Sequence, residues 1–248
     1  MKNRNFATGQ KIEELFAESI AEQTHVLQRL KDEYSIEGDF LETIVVKKHN
    51  KRDVRVRFDC GSHIDASVKT NTARSYYNQL TRLTVDNFAS SFGLSDEARE
   101  DLRYIVMEKC QNPKEVLLFP ISERKKFEGI IRPVIDSILK RSFSDDPSSE
   151  ILVLFNRNEG IMRIWKMEDV LAKISHAISY SKQGGNMIIG GCVYLQRKGG
   201  NGEYAAHIDR MSPDHPGNQL QPKLHIKKFI ELHHQSMLIA YEVSVERP

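Results

Sequence analysis

Between Arg52 and Asn71 the chain reads RDVRVRFDCGSHIDASVKTN. Asp53, Asp65, Ser67 and Lys69 in this stretch are the residue types that handle phosphate chemistry. Carboxylate and hydroxyl oxygens suit a hard divalent cation such as Mg²⁺, which keeps several of its waters. A cation of that kind polarises a phosphodiester and helps ionise an attacking water. A lysine beside it can orient that water or stabilise charge on the phosphate oxygens.

Groups of this kind need a rigid mount, and period two supplies one. Val54, Val56 and Phe58 alternate with Asp53, Arg55 and Arg57. Ile64, Ala66 and Val68 alternate with His63, Asp65, Ser67 and Lys69. Joining two such strands with both polar rows on one face requires a three-residue loop, Asp59-Cys60-Gly61, with glycine where φ is positive. That register sets Asp53 opposite Ser67 and Arg55 opposite Asp65, with Lys69 diagonal to Asp53. Asp65 has two readings: a cross-strand ion pair with Arg55, or the carboxylate that Ser67 does not supply. Just upstream, Lys47, Lys48, His49, Lys51 and Arg52 form a basic cluster suited to gripping phosphate.

Elsewhere, Ile12, Leu15, Phe16, Ile20, Val26, Leu27 and Leu30 predict one amphipathic helix from Thr8 to about Lys31, with Thr8 as its cap. Leu41 to His49 reads as an edge strand. Helices are expected over Ser75–Phe92, from Ser95 to Pro113, and over Ser122–Arg141 with a break at Pro133. Ile151–Phe155 and Ile161–Ile164 pair as strands. Lys166–Ser181 reads as helical, and Met187–Ile189 and Cys192–Leu195 continue as strand. A short helix or irregular segment from Leu224 to Leu232 and a strand from Met237 to Val245 close the chain. The glycine-rich run Gln196-Arg197-Lys198-Gly199-Gly200-Asn201-Gly202 has base-reading chemistry. Arg and Lys bond the guanine O6 and N7, and Gln and Asn bond base amides and adenine. His233 and His234 read as surface residues.

Asp53 with Ser67-Val68-Lys69 resembles the relaxed PD-(D/E)xK nuclease signature, and its surroundings resemble the small type II restriction endonucleases of the Msp and HinP kind. Those enzymes carry a polar amide two positions before the lysine, where this chain has Ser67. Gly9-Gln10-Lys11-Ile12-Glu13 resembles the opening of the family's first helix, which contributes a metal-side glutamate, here Glu13. VYLQRKGGNG, from Val193 to Gly202, resembles the HinP-type sequence-reading segment. After an insertion, Asn218-Gln219-Leu220-Gln221-Pro222-Lys223 looks like its continuation. The resemblance implies one α/β domain spanning 1–248, with a central mixed β-sheet flanked by helices. A helical insert falls at roughly 75–145 and a reading segment at roughly 184–224. It also implies Mg²⁺-dependent cleavage of both strands of double-stranded DNA at a short G·C-rich palindrome. Asp53, Ser67 or Asp65, and the Val68 carbonyl would hold the metal, with Lys69 and Glu13 beside it. Gln196, Arg197, Lys198, Asn201, Asn218 and Lys223 would contact DNA. A cognate DNA methyltransferase follows, and the chain would act as a monomer or weak homodimer. Ser67 keeps open a non-cleaving DNA-binding protein of nuclease ancestry, and a repair nuclease on the same fold is a third reading.

The composition permits this. The 248 residues are 40% hydrophobic and 28% charged, with a net charge of only +2. Nucleic-acid binding therefore has to come from local basic clusters. Cys60, Cys110 and Cys192 make neither a disulfide framework nor a zinc pattern, which suggests a reducing cytoplasm. No signal peptide or membrane-length apolar run is expected.

Overall fold

The structure is a computed structural model that describes residues 4–46, 51–71, 77–198, 203–212 and 214–243. In chain order, helices α1 (Arg4–Glu22) and α2 (Thr24–Tyr34) lead into strands β1 (Phe40–Val45), β2 (Val54–Phe58), β3 (His63–Asn71), β4 (Tyr77–Gln79) and β5 (Leu83–Thr84). Helices α3 (Val85–Phe92), α4 (Asp96–Gln111), α5 (Arg124–Ile131) and α6 (Ile135–Phe143) follow. Next come β6 (Glu150–Asn156), β7 (Ile161–Lys166), α7 (Met167–Lys173), β8 (Ile178–Tyr180), β9 (Met187–Ile189), β10 (Val193–Arg197), β11 (Gln219–His225), α8 (Ile226–His233) and β12 (Ile239–Glu242).

The chain divides into two compact units. The first, Met1–Asn78 with Phe143–Lys173 and Ile230–Pro248, holds a mixed sheet in the order β1-β2-β3-β6-β7-β12. Its neighbours run antiparallel except β3 and β6, which are parallel. Phe16, Ile20, Val26 and Leu30 bury fully against Val54, Val56, Ile64, Ala66, Ile151 and Val153. Each of these other than Ala66 contributes about 1.5–3 kcal/mol on leaving water. The apolar rows of β2 and β3 thus face the helices, and the polar rows take the other face.

The expected single N-terminal helix is two. It begins before Thr8, so Thr8 lies within α1 instead of capping it, and it breaks at Gln23 (φ −97°, ψ 75°). Positions 23 and 24, where the stripe Ile12-Phe16-Ile20 should continue, are polar. The break restarts the phase, so Val26, Leu27 and Leu30 meet the same core.

The second unit, Gln79–Ser142 with Ile174–Phe229, has its own antiparallel sheet in the order β11-β10-β9-β8, with β5 also paired to β11. The chain therefore carries, besides the expected mixed sheet, a second sheet that was not expected. The helical insert and the reading segment, far apart in sequence, fold together here. Ser75–Phe92 is not one helix: Leu83 and Thr84 pair with Leu220 and Gln219. The helix starts at Val85, where the Thr84 hydroxyl accepts from the Asn87 amide at 3.1 Å. Ser95 caps α4 in the same way (3.2 Å to Ala98), and a 3₁₀ turn containing Pro133 separates α5 from α6, the break expected there. Lys166–Ser181 is helical only from Met167 to Lys173; Ile178–Tyr180 is strand, paired with β9.

Candidate active site

The β2–β3 hairpin has the anticipated register, with Val54 opposite Ala66, Arg55 opposite Asp65 and Val56 opposite Ile64. Its loop closes by Phe58 donating to the Ser62 carbonyl (3.0 Å) and Gly61 to that of Phe58 (3.1 Å), with Gly61 at φ 86°. Asp53 stays tied to β3 through its own amide, which donates to the Ala66 carbonyl at 2.8 Å.

Four groups converge beyond that tie. The Lys69 Nζ lies 2.9 Å from Ser67 Oγ, 3.1 Å from the Val68 carbonyl oxygen and 3.1 Å from Asp53 Oδ2. The same Asp53 oxygen accepts from the Val68 amide at 2.7 Å. The Asp53 and Lys69 side chains keep 20% and 17% of their exposure, so the cluster is sheltered yet reachable from solvent. Glu13, on α1, lies within electrostatic reach of both. Burial and then the Asp53 charge push its carboxyl above the ordinary range, against an opposing pull from Lys69. Asp53, Ser67 and the Val68 carbonyl present three hard oxygens to one point, a donor chemistry that fits Mg²⁺. Among the described residues no three His, Cys, Asp or Glu side chains gather as a metal cluster. The set therefore rests on one carboxylate plus a hydroxyl and a carbonyl.

Asp65 takes the first of its two readings. It is 1% exposed, and Arg55 grips both its oxygens, Nε to Oδ1 at 2.7 Å and Nη2 to Oδ2 at 2.9 Å. Arg52 adds a third contact at 3.2 Å. Its oxygens are committed to arginine and are not part of the Asp53 cluster. Arg52 is committed too, with Asp145 at 3.8 Å and Glu150 at 3.9 Å, which corrects its expected phosphate-gripping role. Lys47, Lys48 and His49 lie outside the described residues.

The reading segment splits by face. Tyr194 is opposite Lys223 and Gln196 opposite Gln221, and the Lys198 amide extends the ladder to the Gln219 carbonyl at 2.8 Å. Gln196, Lys198, Gln219 and Lys223 therefore share one face of the β10–β11 ribbon. Burial holds the Lys198 and Lys223 ammonium groups below their ordinary range, and Arg82 adds to the effect at Lys198. Arg197 is on the opposite face. Its Nη1 donates to the carbonyls of Lys198 (2.8 Å) and Gly217 (3.3 Å), and burial lowers its pKa. A Cβ on Gly217 would sit 2.7 Å from that nitrogen and 2.6 Å from Cys110 Sγ. Arg197 is thus a packed residue of the ribbon's far side. Asn218 is a second correction. It is 3% exposed, and its amide nitrogen donates to the carbonyls of Arg210 (2.7 Å) and Ser212 (2.6 Å), which leaves no donor for a base. Gln219, one residue on, opens the strand and shares the face of Gln196 and Lys198, which the alternation through Lys223 already implied. Asn201 lies outside the described residues.

His233 is fully buried, not a surface residue, and burial lowers its pKa to about 4. Its carbonyl accepts from the Trp165 indole at 2.9 Å, which fixes the end of α8 over β7. Among the described residues, no helix is long and apolar enough to cross a membrane.

The α/β fold, with its mixed sheet and helices, is restriction-endonuclease-like. Among solved structures it is similar to the crystal structure of the restriction endonuclease MspI in complex with its cognate DNA, with a TM-score of 0.50 at 13% identity, covering 86% of this chain and 82% of that one. No protein-family model and no curated protein matches the sequence.

Proposed function

We propose that this chain is a type II restriction endonuclease of the PD-(D/E)xK kind, hydrolysing both strands of double-stranded DNA at a short G·C-rich palindrome with Mg²⁺. The observation that carries this reading is the convergence of Asp53, Ser67, the Val68 carbonyl and Lys69 at one end of a rigid hairpin. Asp53, Ser67 and Val68 would hold the ion, with Glu13 nearby. When bound, the ion supplies polarisation of the phosphate and a more acidic water. Lys69 donates to a phosphate oxygen or orients the water, and its position is set by strand geometry. Gln196, Lys198 and Lys223 contact base edges or phosphate, and Asn201 is retained as a reader from the resemblance alone. A methyltransferase protecting the same site, a cytoplasmic location and a monomer or weak homodimer complete the proposal.

The test is incubation of the purified chain with unmethylated phage DNA and Mg²⁺. Discrete bands are the expected result, and sequencing their ends gives the site and the overhang. The presence of Ser67 in place of an amide or acid favours one further reading, a DNA-binding protein that no longer cleaves. Retarded but intact DNA is its outcome. Nicking confined to mismatched or branched substrates would instead indicate a repair nuclease.

A further inference from the structure

The three oxygens suited to a divalent ion are the same three that surround the Lys69 ammonium, at 2.9 to 3.1 Å. We propose that Lys69 is a built-in competitor for the cation position: in the free protein its ammonium fills the position, and a divalent ion loads only as Lys69 swings out. This rests on the nuclease reading.

Charge and mobility favour it. The Lys69 charge offsets that of Asp53, so the unloaded cluster attracts a divalent ion less than Asp53 and Glu13 would without it. The nearby Asp65 cannot supplement it, because Arg55 and Arg52 hold its oxygens. Two cations cannot both touch the same three oxygens, and like charges at that spacing repel strongly. Lysine suits the part: its charge is compact and its four-carbon stem is flexible. Once displaced, the ammonium is available to a phosphate oxygen, the role the cleavage reaction asks of it. Loading of the ion and engagement of DNA would then be coupled through one side chain.

Mn²⁺ binding to the full chain without DNA, followed by electron spin resonance, tests this on wild type, Lys69→Met, Asp53→Asn and the double variant. Lys69→Met, which keeps the apolar stem, is expected to bind Mn²⁺ about tenfold tighter than wild type. Asp53→Asn should abolish binding in either background. Equal or weaker binding by Lys69→Met, still sensitive to Asp53→Asn, overturns the competition and leaves the metal site standing. Binding by Lys69→Met that ignores Asp53→Asn overturns the nuclease reading itself. A measurement on the wild-type chain guards against misfolded variants: adding Mg²⁺ should speed reductive methylation of Lys69, and an unchanged rate counts against displacement.

Discussion

On the β2–β3 ribbon the strands' charged side chains meet their opposites: Asp53 with Lys69, Asp65 with Arg55 and Arg52, and Arg57 with Glu42 at 2.5 Å. On the β10–β11 ribbon Lys198 and Lys223 have no carboxylate within ion-pair distance among the described residues, and burial works against both charges. The two ribbons share a topology and differ in electrostatics. A self-neutralised ribbon holds its strands and oxygens in place before any ligand arrives and leaves only the Lys69 ammonium to move, which suits reacting groups. Half-buried amines without acids are held at a cost that an incoming anion removes, which suits a surface that meets phosphate or base acceptors. Under the proposed function, the difference matches chemistry to one ribbon and recognition to the other.

The largest effect belongs to the neutralised ribbon. Lys69→Ala should slow single-turnover cleavage by about 10²–10³-fold or more while changing DNA affinity little. Asp53→Asn should do the same. Unchanged cutting by either variant would remove the hairpin from the chemistry.

Asp65→Ala should separate structure from chemistry within that ribbon. Removing the buried carboxylate leaves Arg55 without its partner while Arg52 keeps Asp145 and Glu150, at about 2 kcal/mol of stability given the partial exposure of Arg55. The urea midpoint should fall well below that of Lys69→Ala, whose lysine is only partly buried. Equal midpoints would mean that the arginine grip on Asp65 contributes nothing to the fold.

The hairpin was legible because its cues are local: period two fixes the faces, and a glycine at the third loop position fixes the register. The Lys69 cluster then follows from strand geometry. The second unit was less legible, because its elements are decided by distant partners. Leu83 and Thr84 are strand because Leu220 and Gln219 lie beside them, which no local pattern near residue 83 reveals. Family resemblance marked the reading segment as one stretch but treated its polar residues as equivalent. Alternation sends Arg197 behind the ribbon, and the turn of Pro216–Asn218 stops one residue short of the strand, so Asn218 is consumed by packing. His233 looked exposed because it ends an amphipathic helix beside another histidine. Trp165, far away in sequence, is what covers that end.

The unpaired amines give the next effect. Lys198→Ala and Lys223→Ala should each weaken DNA binding by about 1–3 kcal/mol. Where the contact is to phosphate, the loss is uniform across sequences and the salt dependence of log K falls by about one. Where it is to a base, discrimination relaxes at one position. If both variants bind as wild type does at low and high salt, the electrostatic contrast between the ribbons carries no functional meaning.

The smallest effect distinguishes packing from reading at adjacent residues. Asn218→Ala removes two donations, to the carbonyls of Arg210 and Ser212, and should cost about 1–2 kcal/mol of stability. It should leave base discrimination as it is, because no donor of that amide is free in the folded chain. Gln219→Ala should show the reverse, with little change in stability and altered affinity, since its side chain shares the face of Gln196, Lys198 and Lys223. Cleavage of a panel of single-base variants of the site reads both. Relaxed discrimination by Asn218→Ala would mean that DNA binding unwinds the turn at Pro216–Asn218 and frees the amide. The recognition surface would then be built by the ligand and not, as the β2–β3 ribbon is, before it.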